Sequence, residues 1–323
     1  FVIEEKGKKM SKSLGNVILP SDVIKKYGAD ILRIWVANSN YNEDIKISYQ
    51  NLDRQAESYR KIRNTFRFIL GNLGDLSSHS STNHNELPPL EKFIRHKLYS
   101  LNIQINSHYE EFNFYTAFQK ILSFCSKELS SLFFDIRKDA LYCDSQDSHI
   151  VKSTKTVMTD VFQYLIRWLS PIIPFTTEEA WQNWRNECKS TEDNLSCHFL
   201  NKIKSPDIWS NEEINENWSK ILEIKDAFSF AVEKNRTSKL IKSSLEAKAS
   251  IYLKDEEYKK LVSLLNLSEI LISSEVKIVE DYDNDFLFNS DENKIGVKIT
   301  KDDGCKCSRC WKLFQKSKTK TQL

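Results

Sequence analysis

From Leu52 onward apolar residues return every three or four positions, at Ala56, Tyr59, Ile62, Phe66, Ile69 and Leu73, which predicts an amphipathic helix with one buried face. Arg60, Arg63 and Arg67 fall on another face of that helix. Two readings of the row are open: a solvated surface, or a patch that meets a polyanion. The same period recurs over residues 89–109, 113–134 and 151–169, the second with Phe114, Ala117, Phe118, Ile121, Leu122, Cys125 and Leu129 facing inward. Thr176 and Glu179 have the spacing of a capping box, so a further helix should open after Pro174 and carry Ala180, Trp181 and Trp184. These segments make a helical bundle over roughly residues 52–190. A stretch rich in Ser, Asn and His from Leu76 to Glu86 interrupts it and reads as an exposed loop whose histidines have no metal-ligand partner.

Beyond Pro206 a second capping box, Ser210 with Glu213, predicts a long helix through Ile214, Trp218, Ile221, Leu222, Lys225, Phe228 and Val232. The period then shortens to two. Leu245, Ala247, Ala249, Ile251 and Leu253 alternate with polar neighbours, as do residues 294–300, and both read as strands. Residues 1–50 read as a polar loop, a short helix opening at Ser21-Asp22 and an apolar segment from Asp30 to Ala37, too little to fold alone. The fold expected is mainly α, with a bundle followed by a small α+β domain.

At 323 residues the chain can hold two or three domains with real cores, and 40% hydrophobic with 28% charged residues is the balance of a soluble globular protein. No apolar run is long enough to span a membrane, and no membrane partner is expected. Seven cysteines, scattered except for three near the end, do not form a secreted disulfide framework and fit a reducing cytoplasm. A net charge of only +2 excludes a strongly basic nucleic-acid wrapper, so any RNA contact must come from local patches.

Lys9-Met10-Ser11-Lys12-Ser13-Leu14-Gly15-Asn16 is the segment richest in candidate chemistry. Two lysines three apart on a hydroxyl-bearing loop can meet a triphosphate while Ser11, Ser13 and backbone N–H groups donate to its oxygens; a solvated charge run is the competing reading. Near the other end, Cys307-x-x-Cys310 has the spacing of half a tetrahedral zinc site, with a redox pair and coincidence as rivals.

The KMSKS-x-G-N loop, Tyr59 to Phe68 with its Arg63-Asn64-Thr65 centre, Asp135-Ile136-Arg137-Lys138-Asp139-Ala140-Leu141-Tyr142-Cys143-Asp144, Pro171 to Trp181 and Cys307-Ser308-Arg309-Cys310-Trp311 together resemble the class I aminoacyl-tRNA synthetases of the isoleucyl type. The resemblance covers nearly the whole chain. It implies ATP-dependent activation of isoleucine to the adenylate and transfer to tRNA(Ile), with ATP used as its magnesium complex. Lys12, and after it Lys9, would be the catalytic residues, with Ser11 and Ser13 beside them on ATP. Arg60, Arg63, Arg67 and Trp311 would contact tRNA. Trp311 could equally pack against a metal module, since an indole buries much surface. Cys307 and Cys310 would be zinc ligands, with Cys305 a weaker third candidate.

The resemblance divides the chain into the end of the catalytic domain (1–51), a helical anticodon-binding domain (52–200), an α+β junction domain (201–303) and a truncated zinc module (304–323). An upstream nucleotide-binding fold with a His-Ile-Gly-His motif and an editing insertion would precede these, and neither is present here. The chain is therefore expected to be a C-terminal portion, a monomer, and inactive alone. A valyl-tRNA synthetase and a non-catalytic tRNA-binding module are the alternatives.

Overall fold

The computed structural model describes residues 1–74, 81–187, 195–288, 294–308 and 311–314. They form two compact units, the first from residues 1–137 and 145–210, the second from residues 138–144 and 211–323.

In the first unit, β1 (Val2–Glu4) pairs in parallel with β2 (Ile45–Ile47). Between them lie α1 (Pro20–Tyr27) and α2 (Ala29–Ala37). Pro20 sits in the first turn of α1, where no N–H is needed, and Gly28 takes φ +89°, which lets α2 begin at the next residue. Val23, Trp35, Ile47 and Leu52 form a small core, against which Met10 and Ile18 pack.

The bundle follows: α3 (Tyr49–Leu73), α4 (Pro89–Glu110), α5 (Phe114–Phe124), a π-helical stretch (Cys125–Phe134), the start of α6 (Asp135–Cys143), whose residues from Lys138 onward belong to the second unit, α7 (His149–Leu169) and α8 (Pro174–Glu187). α3 begins three residues earlier than its apolar period, because Ser48 caps it by accepting from the Asn51 N–H. Leu52, Ala56, Ile62, Phe66, Ile69 and Leu73 are buried while the arginine row stays exposed. Trp168, Trp181, Phe118, Phe124 and Phe162 fill the interior. Among them Glu91 and Arg137 form a buried bidentate pair at 2.6 and 2.7 Å, which Thr154 completes from 3.1 Å.

Two capping expectations are corrected. Glu179 does not cap α8: residue 173, an isoleucine, has no side-chain acceptor, and the N-terminal N–H groups are met by Asp30 of α2. The cap of the later long helix is Asn211, one residue beyond Ser210, whose Oδ1 accepts from the Ile214 N–H at 2.9 Å. The continuous helix expected over 113–134 also differs, since its second half is π-helical and turns Leu132, Phe133 and Phe134 inward with Leu129. Of the polar stretch from Leu76 to Glu86, residues 76–80 lie outside the described residues, and the rest includes a short turn at His84–Glu86.

In the second unit, α9 (Glu212–Thr237) buries Trp218, Ile221, Ile224, Ala227, Phe228 and Ala231. It packs on β6 of a four-stranded sheet ordered β4-β3-β6-β5, from β3 (Ala247–Leu253), β4 (Glu275–Val279), β5 (Leu287–Phe288) and β6 (Ile295–Lys301). Between β3 and β4 run the short helices α10 (Glu256–Ser263) and α11 (Leu267–Ile270). β3 pairs in parallel with β4 and antiparallel with β6, in register Ala249↔Val276 and Ala249↔Ile299. The alternation read over 247–253 is the observed one, with Ala247, Ala249, Ile251 and Leu253 buried. A last hairpin joins β7 (Cys305–Lys306) to β8 (Leu313–Phe314). Among the described residues no helix is long and apolar enough to cross a membrane.

Candidate functional site

The lysine–serine loop leaves β1 through a tight turn at Gly7, φ +80°, and is anchored by Met10 on the small core. Its shape is fixed by Asn16. That side chain accepts from the Ser11 N–H at 2.8 Å and donates to the Lys9 carbonyl at 3.4 Å, so the two ends of the loop are stapled together. Within the staple, Lys12–Leu14 form one 3-10 turn closed by Gly15 at φ +65°. Ser11 and Ser13 share a hydroxyl contact of 2.7 Å. Lys9 and Lys12 are exposed and make no ion pair among the described residues. The loop thus presents two exposed ammonium groups and a pair of mutually bonded hydroxyls on a backbone that the Asn16 staple already holds.

α2 fastens the segment that carries this loop to the bundle. Asp30, 7% exposed, accepts from the Thr176 N–H at 2.8 Å, the Thr176 hydroxyl at 2.6 Å and the Phe175 N–H at 3.4 Å. Arg33 donates to the carbonyls of Pro171 and Ile172 at 2.7 and 2.9 Å, just beyond the end of α7. A negative group at a helix start and a positive one past a helix end both oppose the helix dipoles favourably.

The arginine row divides. Arg60 forms an exposed ion pair with Glu57 one turn earlier, whereas Arg63 and Arg67 border a cavity of about 360 Å³ that Asn64, Thr176, Glu179 and Asn183 also line. The two guanidinium groups and the amides of Asn64 and Asn183 supply donors suited to phosphate oxygens or base edges, beside one carboxylate, Glu179, and an apolar floor that includes Phe66 and Leu70. Only the row was readable from spacing; the partners on α8 were not, because they lie more than a hundred residues away.

In the terminal hairpin, the Cys307 carbonyl accepts from the Trp311 N–H at 3.1 Å and the Cys307 N–H donates to the Lys312 carbonyl at 2.9 Å. Trp311 has φ +62° and is 60% exposed, with Lys306 Nζ 5.2 Å from its ring centre. The indole therefore faces outward, available for stacking. Lys312 reaches Asp139 at 3.8 Å within the same unit. Cys307 is half-buried and Cys305 exposed, while Cys310 lies outside the described residues. A thiol at the mouth of a hairpin suits a thiolate–zinc site, which needs four donors.

Residues 91–252 match the family model described as the anticodon-binding domain of tRNA ligase, and the chain belongs to that family. Residues 1–48 match the model of class I tRNA synthetases (I, L, M and V), which contains the lysine–serine loop. Among individual proteins, the chain is similar to isoleucine–tRNA ligases. It is 42% identical to that of Pelagibacter ubique, over 97% of this chain and 33% of the relative. The ligases of Bartonella henselae (37% identity, 98% of this chain, 32% of the relative) and Petrotoga mobilis (38%, 97% and 34%) match similarly. The chain spans about a third of the length of these relatives.

Proposed function

We propose that this chain is the part of an isoleucine–tRNA ligase that positions the phosphates of ATP and grips tRNA(Ile). The observation that carries the reading is similarity to isoleucine–tRNA ligases along 97% of the chain, on a segment that includes a stapled Lys-Met-Ser-Lys-Ser loop. In the reaction, the isoleucine carboxylate attacks the α-phosphate of ATP, and charge accumulates on the departing pyrophosphate. Lys12 meets that charge, Lys9 stands beside it, and Ser11 and Ser13 donate to neighbouring oxygens. Such a cation accelerates the step only insofar as it fits the departing pyrophosphate better than bound ATP. ATP enters as its magnesium complex, and the ligase acts as a cytoplasmic monomer.

Arg63, Arg67 and the exposed Trp311 contact tRNA, the arginines through phosphates and the indole by stacking. Cys307 and Cys310 would hold zinc, whose chemistry there is to brace the terminal hairpin. On this reading the segment by itself forms no adenylate, as it spans about a third of the length of the ligases it resembles. The test is isoleucine-dependent ATP–pyrophosphate exchange by the full-length ligase carrying this segment. Losing one preorganised charge-stabilising donor costs about 10²–10³ in rate, so Lys12→Ala should slow exchange by that order and leave tRNA affinity within twofold. Normal exchange by the variant would remove Lys12 from the reaction.

A further inference from the structure

We propose that Glu178, Cys197 and His198 form a binding site for a zinc-like divalent cation, separate from the terminal cysteines and independent of the function proposed above. Glu178 lies in the first turns of α8, and the chain returns beside it in a short turn at Cys197–Phe199. The turn is already fixed there, because Glu178 Oε2 accepts from the Ser196 hydroxyl at 2.8 Å and from the Cys197 N–H at 3.0 Å. Ser196 in turn accepts from the His198 N–H at 3.2 Å.

That arrangement brings one carboxylate oxygen, one sulfur and one imidazole nitrogen within 4.8 Å of one another. Cys197 Sγ stands 3.9 Å from His198 Nδ1 and 4.0 Å from Nε2, and His198 Nε2 stands 3.9 Å from Glu178 Oε2. Zinc bonds of about 2.0–2.3 Å in a tetrahedron put ligand atoms roughly 3.3–3.8 Å apart, so the two contacts of His198 need to close by only about half an ångström and the sulfur–carboxylate separation, within 4.8 Å, by about one. Behind the sulfur, Thr177 Oγ1 accepts from the Cys197 thiol at 3.7 Å and itself donates to the Ile173 carbonyl at 3.0 Å, which fixes where the sulfur stands in the metal-free chain.

The donor set chooses the cation. Sulfur with imidazole suits zinc or cobalt and excludes magnesium and calcium, which require oxygen ligands. Three protein donors leave a fourth position for water, and His198, its side chain 43% exposed, opens that position to solvent. The competing account is a His198–Glu178 ion pair beside an inert thiol. One bound ion would instead tie the start of α8 to the segment that returns along it.

Cobalt(II) titration separates the two accounts. In a chain with Cys188, Cys305, Cys307 and Cys310 replaced by serine, one equivalent should bind with a sulfur-to-cobalt charge-transfer band. Cys197→Ser should abolish the band, and His198→Gln should weaken binding at least about tenfold while circular dichroism stays unchanged. As a second measurement on the chain with all its cysteines, His198→Gln, on an exposed side chain that the fold does not require, should lower bound zinc by one per molecule. Absence of the band in the substituted chain together with unchanged zinc in His198→Gln would overturn the site, as would a band that survives both variants.

Discussion

Asp30→Ala should loosen the start of α8 and its tie to the loop-bearing segment at a predictable cost. Asp30 takes the place of an N-cap for α8: the first helical residue, Pro174, has no N–H, and Asp30 meets the next two donors at Phe175 and Thr176. Loss of a cap costs about 1 kcal/mol, up to about 2. Loss of a partly buried charge at a helix start adds about 0.3–2 kcal/mol. The Thr176 hydroxyl keeps one partner, Tyr59 at 3.0 Å, so its own loss is partly compensated. The sum is roughly 2–3 kcal/mol, and Asp30→Asn, which keeps an acceptor and loses the charge, should cost about 1. With two units in the chain, a single unfolding midpoint is ambiguous, so amide exchange is the better assay. At about 1.4 kcal/mol per tenfold, amides early in α8 should exchange roughly 30- to 150-fold faster in Asp30→Ala, while those of Ala249 and Ile251 in β3 remain unchanged. Acceleration below about threefold in α8 would refute the capping argument.

Two further outcomes concern protons and metal. Burial pushes the Asp160 carboxyl up to about 6 from 3.8, against the pull of Arg95, whose Nε donates to it at 2.8 Å. The folded state then binds this proton more tightly than the unfolded state, so the group's contribution to stability falls as pH rises from about 4 to 6 and is level above. In urea unfolding of the first unit across that range, Asp160→Asn should remove about 2–3 kcal/mol of this slope; an unchanged slope would contradict the burial argument. At the terminal hairpin, two thiolates leave zinc half-coordinated, so in a His198→Gln background the metal should be lost to a mild chelator. Chelator-resistant zinc that disappears on Cys307→Ser would show that further ligands complete the site.

Helix positions were legible in the sequence because the apolar period is a local property: α3, α4 and α7 begin within three residues of where the pattern starts, the difference being set by caps at Ser48 and Ser148. The π-helical stretch was not, since Leu129 satisfies a helical period and the later shift of Leu132 to Phe134 depends on what they pack against. Capping failed where it is tertiary. Thr176 and Glu179 have the right spacing, yet the Thr176 hydroxyl donates to a carboxylate 146 residues away. The lysine–serine loop could be found by motif, but the staple that Asn16 makes across it needs coordinates. Arg63 and Arg67 were readable as a row; their separation from Arg60, which turns to Glu57, was not. Cys197 and His198 offered only adjacency, because Glu178 is supplied by another element.

The division of labour between loop and bundle is tested most directly by tRNA(Ile) binding to this chain as a function of salt. Each lost phosphate contact lowers the slope of log affinity against log salt by somewhat under one. Replacing Arg63 and Arg67 together by alanine should weaken binding and reduce that slope by about one to two, while Lys12→Ala leaves both unchanged. Equal losses in the two variants, or an unaltered slope without the arginines, would contradict the assignment of ATP to the loop and RNA to the bundle.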